Sequence, residues 1–332
     1  MIKQLLCVES TEYDPYANLA VEEYLLRRCQ NGQCILYLWQ NQNTVVIGRN
    51  QNAWKECLTG KLEAEGGHLA RRLSGGGAVY HDLGNLNFTF LVNRKDYRIP
   101  RQLEVILEAV RSLGVPAEKS GRNDLQSEGR KFSGNAFYEQ EEHCYHHGTL
   151  MMHVNMEDMS RYLTVSREKL KSKGVDSVHA RVVNLSEYVP GLTADQMKEA
   201  LRLAFENVYG GRAVSLPAGD LDTEEIRELR EKYASWEWLY GRKMEFQYEM
   251  SRRFSWGEVT LRFQADQGII RDVQVYSDSL NPGLMMELPE LLKGTRFRMP
   301  EIAARLRSRQ AAKESERILL ADMADWTEAE EQ

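Results

Sequence analysis

A run of donor-rich residues, Arg71-Arg72-Leu73-Ser74-Gly75-Gly76-Gly77, is the part of the chain that most clearly suggests chemistry. Three consecutive glycines lose more backbone entropy on folding than an ordinary turn requires. Such runs let the backbone approach a ligand and turn successive N–H groups toward an anion, and the arginines and serine add further donors. The run therefore predicts an anion-binding loop. The alternative is a glycine-rich hairpin tip, which would not need two arginines.

The loop differs from the common nucleotide-binding loops. A Walker loop has Lys-Ser or Lys-Thr after its last glycine, where this chain has Ala78-Val79, and a dinucleotide fingerprint needs a third glycine at Tyr80. A phosphate-binding lysine must therefore come from elsewhere. The best candidate is Lys131, which lies among small, turn-forming residues at the predicted edge of a short strand.

Two adjacent histidines, His146 and His147, precede an apolar segment that is typical of a strand. Neighbouring strand residues point to opposite faces, so one histidine is expected to face a pocket while the other packs. The glycine loop is followed by an alternating segment, residues 86–92, which predicts a largely buried strand that would support the loop.

Together these segments resemble the lipoate–protein ligase family, and the resemblance extends over nearly the whole chain. The other segments that carry it are Asp14-Pro15, Thr44–Arg49, Trp54–Cys57, Ser120–Leu125, Ser172–Val178 and Val275–Pro282. The resemblance implies an enzyme that uses ATP and magnesium to activate lipoic acid as lipoyl-adenylate, with release of pyrophosphate. It further implies transfer of the acyl group to a lysine on a carrier, either a 2-oxo acid dehydrogenase E2 domain or the glycine cleavage H protein.

The resemblance also implies roles for individual residues. Lys131 matches the essential lysine, expected between the acyl carboxylate and the α-phosphate, and Asp124 is the candidate for magnesium or the ribose. The expected nucleotide contacts are Arg72, Ser74, Gly75, Gly76, Gly77, Ala78, Val79, Tyr80, Asp124 and Lys131. The expected acyl-substrate contacts are Arg71, Arg72, His81, Lys131, Ser133, Gly134, His147 and Gly148.

Three alternatives stand beside this interpretation. A cysteine-dependent octanoyl or lipoyl transferase without ATP would use Cys144, which follows the acidic run Glu139–Glu142 in a predicted loop, where negative neighbours disfavour a thiolate. The second alternative is a non-catalytic carrier-binding protein, or a zinc site built from His143, Cys144, His146 and His147. Biotin ligases are the third, but their glycine–arginine loop differs from this one. Lipoate and octanoate are not distinguished.

Composition is compatible with an acyl ligase. The net charge of −6 gives no global basic field, so nucleic acid is not an expected partner. Five scattered cysteines without a Cys-x-x-Cys pair favour reduced thiols and a cytoplasmic protein. No apolar run is long enough to span a membrane. We expect a monomer.

The order of helical and strand patterns predicts an α+β fold with a mixed or antiparallel sheet and flanking helices. Asp14 and Pro15 are typical of a helix start, and Gly114 is placed to end a helix that contains residues 103–110. The 332 residues suggest two domains: a catalytic domain at 1–245 and a small α+β accessory domain at 246–332, whose strands begin near Phe246.

Overall fold

The computed structural model describes residues 2–120, 124–164, 182–221, 223–241 and 244–330. The segments Gly121–Asn123 and Ser172–Val178, which carry part of the family resemblance, lie outside the described residues. By internal contacts the chain divides into two compact units. The first contains Met1–Ile47, Ala53–Arg72 and Ala78–Leu239, and the second contains Gly48–Asn52, Leu73–Gly77 and the chain from Tyr240 onward.

The first unit is built on an eight-stranded mixed sheet with the order β11-β1-β2-β6-β10-β9-β8-β7. Its strands are β1 (Gln4–Glu9), β2 (Gln33–Trp39), β6 (Asn85–Asn93), β7 (Ala117–Ser120), β8 (Asp124–Ser127), β9 (Arg130–Gln140), β10 (His143–Met151) and β11 (Ala213–Pro217). Strand β1 is parallel to its neighbours β2 and β11, and the other adjacent pairs are antiparallel. A second, three-stranded sheet is formed by β3 (Thr44–Ile47), β4 (His68–Arg71) and β5 (Val79–His81).

Helices cover both faces of the large sheet. The helices of the first unit are α1 (Pro15–Arg28), α2 (Ala53–Glu56), α3 (Thr59–Ala64), α4 (Ile99–Ser112), α5 (Met156–Tyr162), α6 (Ala194–Tyr209) and α7 (Glu224–Ala234). The short helix α8 (Trp236–Tyr240) follows, and all its residues but the last belong to the same unit. On one face α4 and α6 enclose the main apolar core with side chains of β2, β6 and β10. On the other face α1 packs against β2, β6 and β10. The expected α+β fold is thus confirmed.

Local signals explain two of these helices. Asp14 caps α1, because its side chain accepts a hydrogen bond from Tyr16 N at 2.9 Å, and Pro15 occupies the first helical position as predicted. Helix α4 ends at Ser112, and Gly114 follows with a φ of 90°, a conformation that glycine adopts without strain.

The second unit has its own core. An antiparallel meander of β12 (Tyr248–Phe254), β13 (Gly257–Asp266) and β14 (Ile269–Ser277) packs against α9 (Pro282–Leu292), α10 (Met299–Ser308) and α11 (Glu314–Ala329). A turn at residues 266–268 joins β13 to β14, with positive φ angles at Gln267 and Gly268.

Candidate functional site

The site face of the large sheet is the face against which α1 packs, and polar residues of β6 and β10 are directed toward it. Side chains alternate along a strand, so Phe88, Phe90 and His146 point into the core under α4 and α6, while Thr89 and His147 point toward α1. The expectation that the two histidines have different surroundings is met in this arrangement.

Glu22 of α1 fixes the polar groups at the centre of the site face. Its Oε1 accepts from Thr89 Oγ1 at 2.7 Å and lies 2.9 Å from His147 Nδ1, and the carboxylate is fully buried. Thr89 in turn accepts from Trp39 Nε1 at 3.1 Å. His147 Nδ1 is therefore the protonated nitrogen that faces the carboxylate. Sequence reasoning missed Glu22, although Asn18 and Glu22 are four residues apart on the buried stripe of α1.

Arg72 adds a positive charge to the same face, and His81 adds a neutral imidazole. Arg72 is buried, and its Nη1 donates to Val46 O at 3.1 Å; burial lowers the pKa of its guanidinium to about 10. Burial, and then the charges of Arg72 and His147, lower the pKa of His81 to about 3. The imidazole is neutral, while the arginine is a poorly hydrated cation that an anionic ligand would stabilise.

Lys131 is the second residue of the 11-residue strand β9, a longer strand than the sequence predicted. Leu125 pairs with Ser133 and Gln126 with Lys131, so Phe132 is an extra residue in a β-bulge, a device that commonly redirects a side chain next to a functional site. Lys131 Nζ lies 2.8 Å from Asp124 Oδ1, and each side chain is 38% exposed. The candidate catalytic lysine and the candidate residue for magnesium or the ribose are thus adjacent.

Gly134 makes room for that lysine. A Cβ at Gly134 would lie 3.1 Å from Lys131 Nζ and 3.2 Å from its Cε, closer than ordinary contact. The backbone N of Gly134 donates to Thr149 Oγ1 at 3.3 Å.

A lateral track crosses five neighbouring strands on the site face. It consists of Asp124, Gly134, Thr149, Asn87 and Trp39, each paired with the next across the sheet or joined to it by a hydrogen bond. Because adjacent strands lie about 4.8 Å apart, the track from the Lys131 end to Trp39 is long enough for an extended acyl chain. At the Trp39 end the ring of His81 lies 6.3 Å from the indole.

Three of the predicted substrate-binding residues have other surroundings. Arg71 Nε donates to Trp238 O at 2.8 Å, while Trp238 Nε1 donates back to Arg71 O at 2.8 Å, so this arginine is engaged with α8. Ser133 and Gly148 have their side-chain positions on the core face: Ser133 is buried beside Asn135, and a Cβ at Gly148 would lie 2.6 Å from Phe88 Cζ. Any contact of Ser133 or Gly148 with a ligand on the site face would come from the backbone.

The glycine loop belongs to the second unit by its contacts. Gly76 has a φ of 91° and its N donates to Ser279 O at 3.2 Å, while a Cβ at Gly75 would lie 2.0 Å from that same oxygen. Arg49 N donates to Ser74 O at 2.9 Å. Close backbone packing therefore accounts for Gly75, and in this conformation Gly76 N–H is bonded to protein rather than directed to an anion. A Cβ at Gly77 would meet no atom within 4 Å.

The remaining predicted nucleotide contacts lie at and before β5. Val79 and Tyr80 pair with Val46 and Val45 of β3, and Ala78 precedes the strand. Tyr80 OH donates to Asn43 Oδ1 at 3.3 Å, and its ring lies 5.6 Å from that of Tyr162.

The location predicted for Cys144 is wrong. It is the second residue of β10, not a loop residue, and it is fully buried in the core. A transferase nucleophile must reach its acyl donor, which a thiol in this position cannot do without unfolding the strand. The four proposed zinc ligands also lie on this strand, where successive side chains alternate between faces. Across the described ranges, no three His, Cys, Asp or Glu side chains are grouped to hold a metal ion.

The helices described in the structure include none that is both long enough and apolar enough to cross a bilayer.

Comparison with known proteins agrees with this geometry. A family model of the lipoyl protein ligase A/B catalytic domain matches residues 14–206, and one of the bacterial lipoate protein ligase C-terminus matches residues 243–326. The chain is 39% identical over 324 residues to lipoate-protein ligase A of Bdellovibrio bacteriovorus, with 96% of each protein covered.

Solved structures give the same result. LipL1 of P. falciparum in complex with lipoate superimposes with a TM-score of 0.86 at 27% identity, covering 97% of this chain and 98% of that one. A bipartite lipoate protein ligase of Thermoplasma acidophilum, from a lipoylation system with an E2 lipoyl domain, has a TM-score of 0.64 at 28% identity, covering 74% and 99%. A lipoate-protein ligase A bound with ATP has a TM-score of 0.62 at 27% identity, covering 73% and 99%.

The larger unit thus has the fold and sequence pattern of the lipoyl protein ligase catalytic domain, and the protein is an enzyme of the ligase class. With both family models matched and the relative aligned over almost its full length, the chain belongs to the lipoate–protein ligase A family.

Proposed function

We propose that this enzyme activates lipoate with ATP and then transfers the lipoyl group to a lysine of a carrier domain. In the first step a lipoate carboxylate oxygen attacks the α-phosphorus of ATP; the bond to the leaving pyrophosphate breaks and lipoyl-AMP forms. In the second, a carrier lysine amine attacks the acyl carbon, AMP leaves with the anhydride oxygen, and the amine proton passes to solvent. A relative named lipoate-protein ligase A and a solved lipoate-protein ligase A bound with ATP support this proposal.

The observation that carries this proposal is the position of Lys131. Its ammonium group lies over Gly134 at one end of the lateral track, where an acyl carboxylate extended along the track would end. A compact charge there stabilises the negative charge that builds on the phosphate oxygens, and so lowers the barrier to adenylation. Arg72, Ser74, Gly75, Gly76, Gly77, Ala78, Val79 and Tyr80 remain the proposed nucleotide contacts.

Asp124 fits a magnesium ion carried by the nucleotide. Mg²⁺ is commonly held by one or two carboxylates together with substrate phosphates, and Asp124 offers one carboxylate beside the lysine proposed to face the α-phosphate. When bound, the ion would neutralise phosphate charge. Without it, Asp124 balances the charge of Lys131 and orients its side chain.

The acyl substrate is proposed to lie on the site face, where Arg72, His81, Gly134 and His147 are available to it. The proposed carriers are E2 domains of 2-oxo acid dehydrogenases and the glycine cleavage H protein, supported by the archaeal ligase whose system includes an E2 lipoyl domain. We also propose that the protein is cytoplasmic and monomeric, with a catalytic domain at 1–245 and an accessory domain at 246–332. All five cysteines are free thiols, as the cytoplasm would maintain.

The decisive experiment replaces Lys131 with Met and measures lipoate-dependent pyrophosphate release. Loss of a charge that acts in the transition state should raise the adenylation barrier by about 3 kcal/mol or more, a decrease in rate of over about a hundredfold. The Lys131–Asp124 pair is partly exposed, so its removal should alter stability by less than about 1 kcal/mol. Lys119→Met, at an exposed position on β7, is the matched control.

The same assay is run with octanoate and biotin in place of lipoate, and with a purified E2 lipoyl domain to follow transfer. Each CH₂ buried in an apolar site contributes only about 0.8 kcal/mol, so octanoate should be accepted to some degree. Wild-type adenylation by the Lys131→Met variant, with an unchanged melting temperature, would remove Lys131 from the mechanism. Lipoylation that proceeds without ATP would contradict the proposed function itself.

A further inference from the structure

The arginine that ends β4 and the tryptophan of α8 hold each other in both directions. Arg71 is buried, and its Nε donates to the carbonyl oxygens of Trp238 at 2.8 Å and of Leu239 at 3.1 Å. In return Trp238 Nε1 donates to Arg71 O at 2.8 Å. Carbonyl groups at the end of a helix carry partial negative charge, so they suit a buried guanidinium. The ends of β4 and α8 are therefore joined by hydrogen bonds donated from both sides.

Helix α7 holds the ring of Trp238 in place. Lys232 Nζ lies 4.3 Å from the centre of an indole ring, and the ring of Tyr233 meets the indole edge-on with its centre 5.3 Å away. Both residues also bind Glu23 of α1, whose Oε2 accepts from Lys232 Nζ at 2.7 Å and from Tyr233 OH at 2.6 Å. We call Glu23, Lys232, Tyr233, Trp238 and Arg71 the brace, which connects α1 to β4 within the first unit.

The brace includes residues that neither family model covers. The catalytic-domain model ends at residue 206 and the C-terminal model begins at residue 243, whereas α7 and α8 lie between them. By internal contacts the first unit nevertheless extends to Leu239. The two helices therefore belong to the unit that carries the site, although they lie outside the matched catalytic domain.

The brace acts on a single peptide group next to Arg72. The Arg71 carbonyl and the Arg72 N–H belong to the same planar unit. Trp238 binds the oxygen of this unit, while its N–H donates to Ile47 O of β3 at 3.1 Å. Successive residues of an extended chain point to opposite sides, so Arg71 is directed to α8 and Arg72 to the site face. A plane held from both sides fixes the Cα from which the Arg72 side chain projects.

We propose that Trp238 is a positioning residue for Arg72, and that Arg71 completes the brace rather than contacting the acyl substrate as the sequence predicted. The contact between Trp238 and the peptide group exists without ligand. Its consequence for adenylation rests on the proposed function, in which Arg72 binds an anionic substrate. A misplacement of about 1 Å can cost about a hundredfold in rate, so loosening of Arg72 should slow adenylation.

The first test measures amide exchange by NMR in the protein without ligand. Trp238→Phe removes the indole N–H and should speed exchange at the Arg72 amide about fivefold relative to the amides of β2, because its peptide group loses one hydrogen bond. Trp256→Phe is the matched control, since this buried tryptophan of the second unit donates to Asp322 Oδ2 at the same distance of 2.8 Å. Unchanged exchange at Arg72 in Trp238→Phe, or an equal change in Trp256→Phe, would overturn the proposal.

The second test is kinetic and follows lipoate-dependent pyrophosphate release. Trp238→Phe should lower adenylation kcat/KM by about tenfold, which is less than the loss in Arg72→Met, and it should have no further effect in the Arg72→Met background. Additive losses in the double variant would contradict a role that acts through Arg72. A severe loss with Arg71→Met and none with Trp238→Phe would assign Arg71 to the ligand and would also overturn the proposal.

The outcomes separate the two proposals. Faster exchange at Arg72 in Trp238→Phe, in a protein whose wild type releases no pyrophosphate with lipoate, would refute the proposed function and retain the peptide contact. Pyrophosphate release by the wild type together with additive losses would refute the role of Trp238 alone. If Trp238→Phe fails to fold, exchange in the wild type decides. The Trp238 indole N–H should then be protected together with the Arg72 amide, and exchange at the rate of an unfolded chain would overturn the proposal.

Discussion

Mild acidification should destabilise this protein through two histidines that the fold keeps neutral. His81 and His146 are both buried, and burial is the main cause that lowers the pKa of each from 6.5 to about 3. His146 is surrounded by the rings of Phe88, Phe90 and Phe137, and its Nε2 donates to Asn135 Oδ1 at 2.7 Å. Neither ring can take up a proton at pH 5 to 6 unless the chain unfolds.

The sign and size follow from proton linkage. The unfolded chain binds a proton at each histidine as the pH falls below 6.5, while the native protein does not, so stability present above pH 6.5 is lost on acidification toward pH 3. Between about pH 7 and about pH 5.5 each histidine should lower the free energy of unfolding by about 1.2 kcal/mol, or about 2.5 kcal/mol for the two. Both native pKa values lie far below this range, so the unfolded pKa sets the result.

Urea unfolding at the two pH values measures this loss. His146→Gln, whose amide can still donate to Asn135, should remove about half of the pH dependence. The matched control is Leu150→Val, on the same strand and the same core face, which reduces packing but should retain the full dependence. The reasoning fails if wild-type protein loses less than about 1 kcal/mol over this range, or if His146→Gln retains the whole effect.

Three substitutions test the packing around Lys131, the packing of the core face and the role of Cys144. Gly134→Ala places a Cβ 3.1 Å from Lys131 Nζ, so adenylation kcat should fall. The melting temperature should change little, because the displaced group is the end of a flexible side chain. A large fall in melting temperature with unchanged kcat would contradict this. Gly148→Ala places a Cβ 2.6 Å from Phe88 Cζ and 2.7 Å from Gly134 O, so calorimetry should show a loss of about 1–3 kcal/mol. Cys144→Ala should retain ATP-dependent lipoylation, at a stability cost of about 1 kcal/mol for a small core cavity; a thioester trapped at Cys144 in wild-type protein would support the transferase instead.

The sequence was sufficient for features that depend on neighbouring residues. Capping by Asp14 and the end of α4 near Gly114 follow from local backbone chemistry. The alternation of apolar and polar residues along β6 can likewise be recognised within a single strand, because successive side chains point to opposite faces of the sheet. Cys144 was misplaced because the acidic residues before it are typical of a loop, whereas the chain reverses there within a tight turn and Cys144 is already paired with Val92 and Glu139.

Contacts distant in sequence could not be predicted in this way. Glu22 is 125 residues from His147, and Arg71 is 167 residues from Trp238, so no local pattern connects these pairs. The glycine loop is a related case. Its composition predicts an anion-binding loop, which stays a prediction, and the sequence gives no sign that Gly75 is also required by the approach of Ser279 O, more than two hundred residues away. A glycine that permits close packing and one that admits a ligand look the same in a sequence.

The polar side of β6 is the strongest indication that the site face is adapted to a ligand. The strand is buried along its whole length, and a strand buried on both faces is normally apolar. Asn85, Asn87 and Thr89 break that rule on the site face alone, while the residues between them are apolar and point into the core. Within the described residues Asn87 Nδ2, His81 Nε2 and Glu22 Oε2 also have no hydrogen-bond partner. Packing alone would disfavour such groups, because each unsatisfied buried polar atom is destabilising. A ligand that offers acceptors to Asn87 Nδ2 and His81 Nε2, and a donor to Glu22 Oε2, would compensate for them.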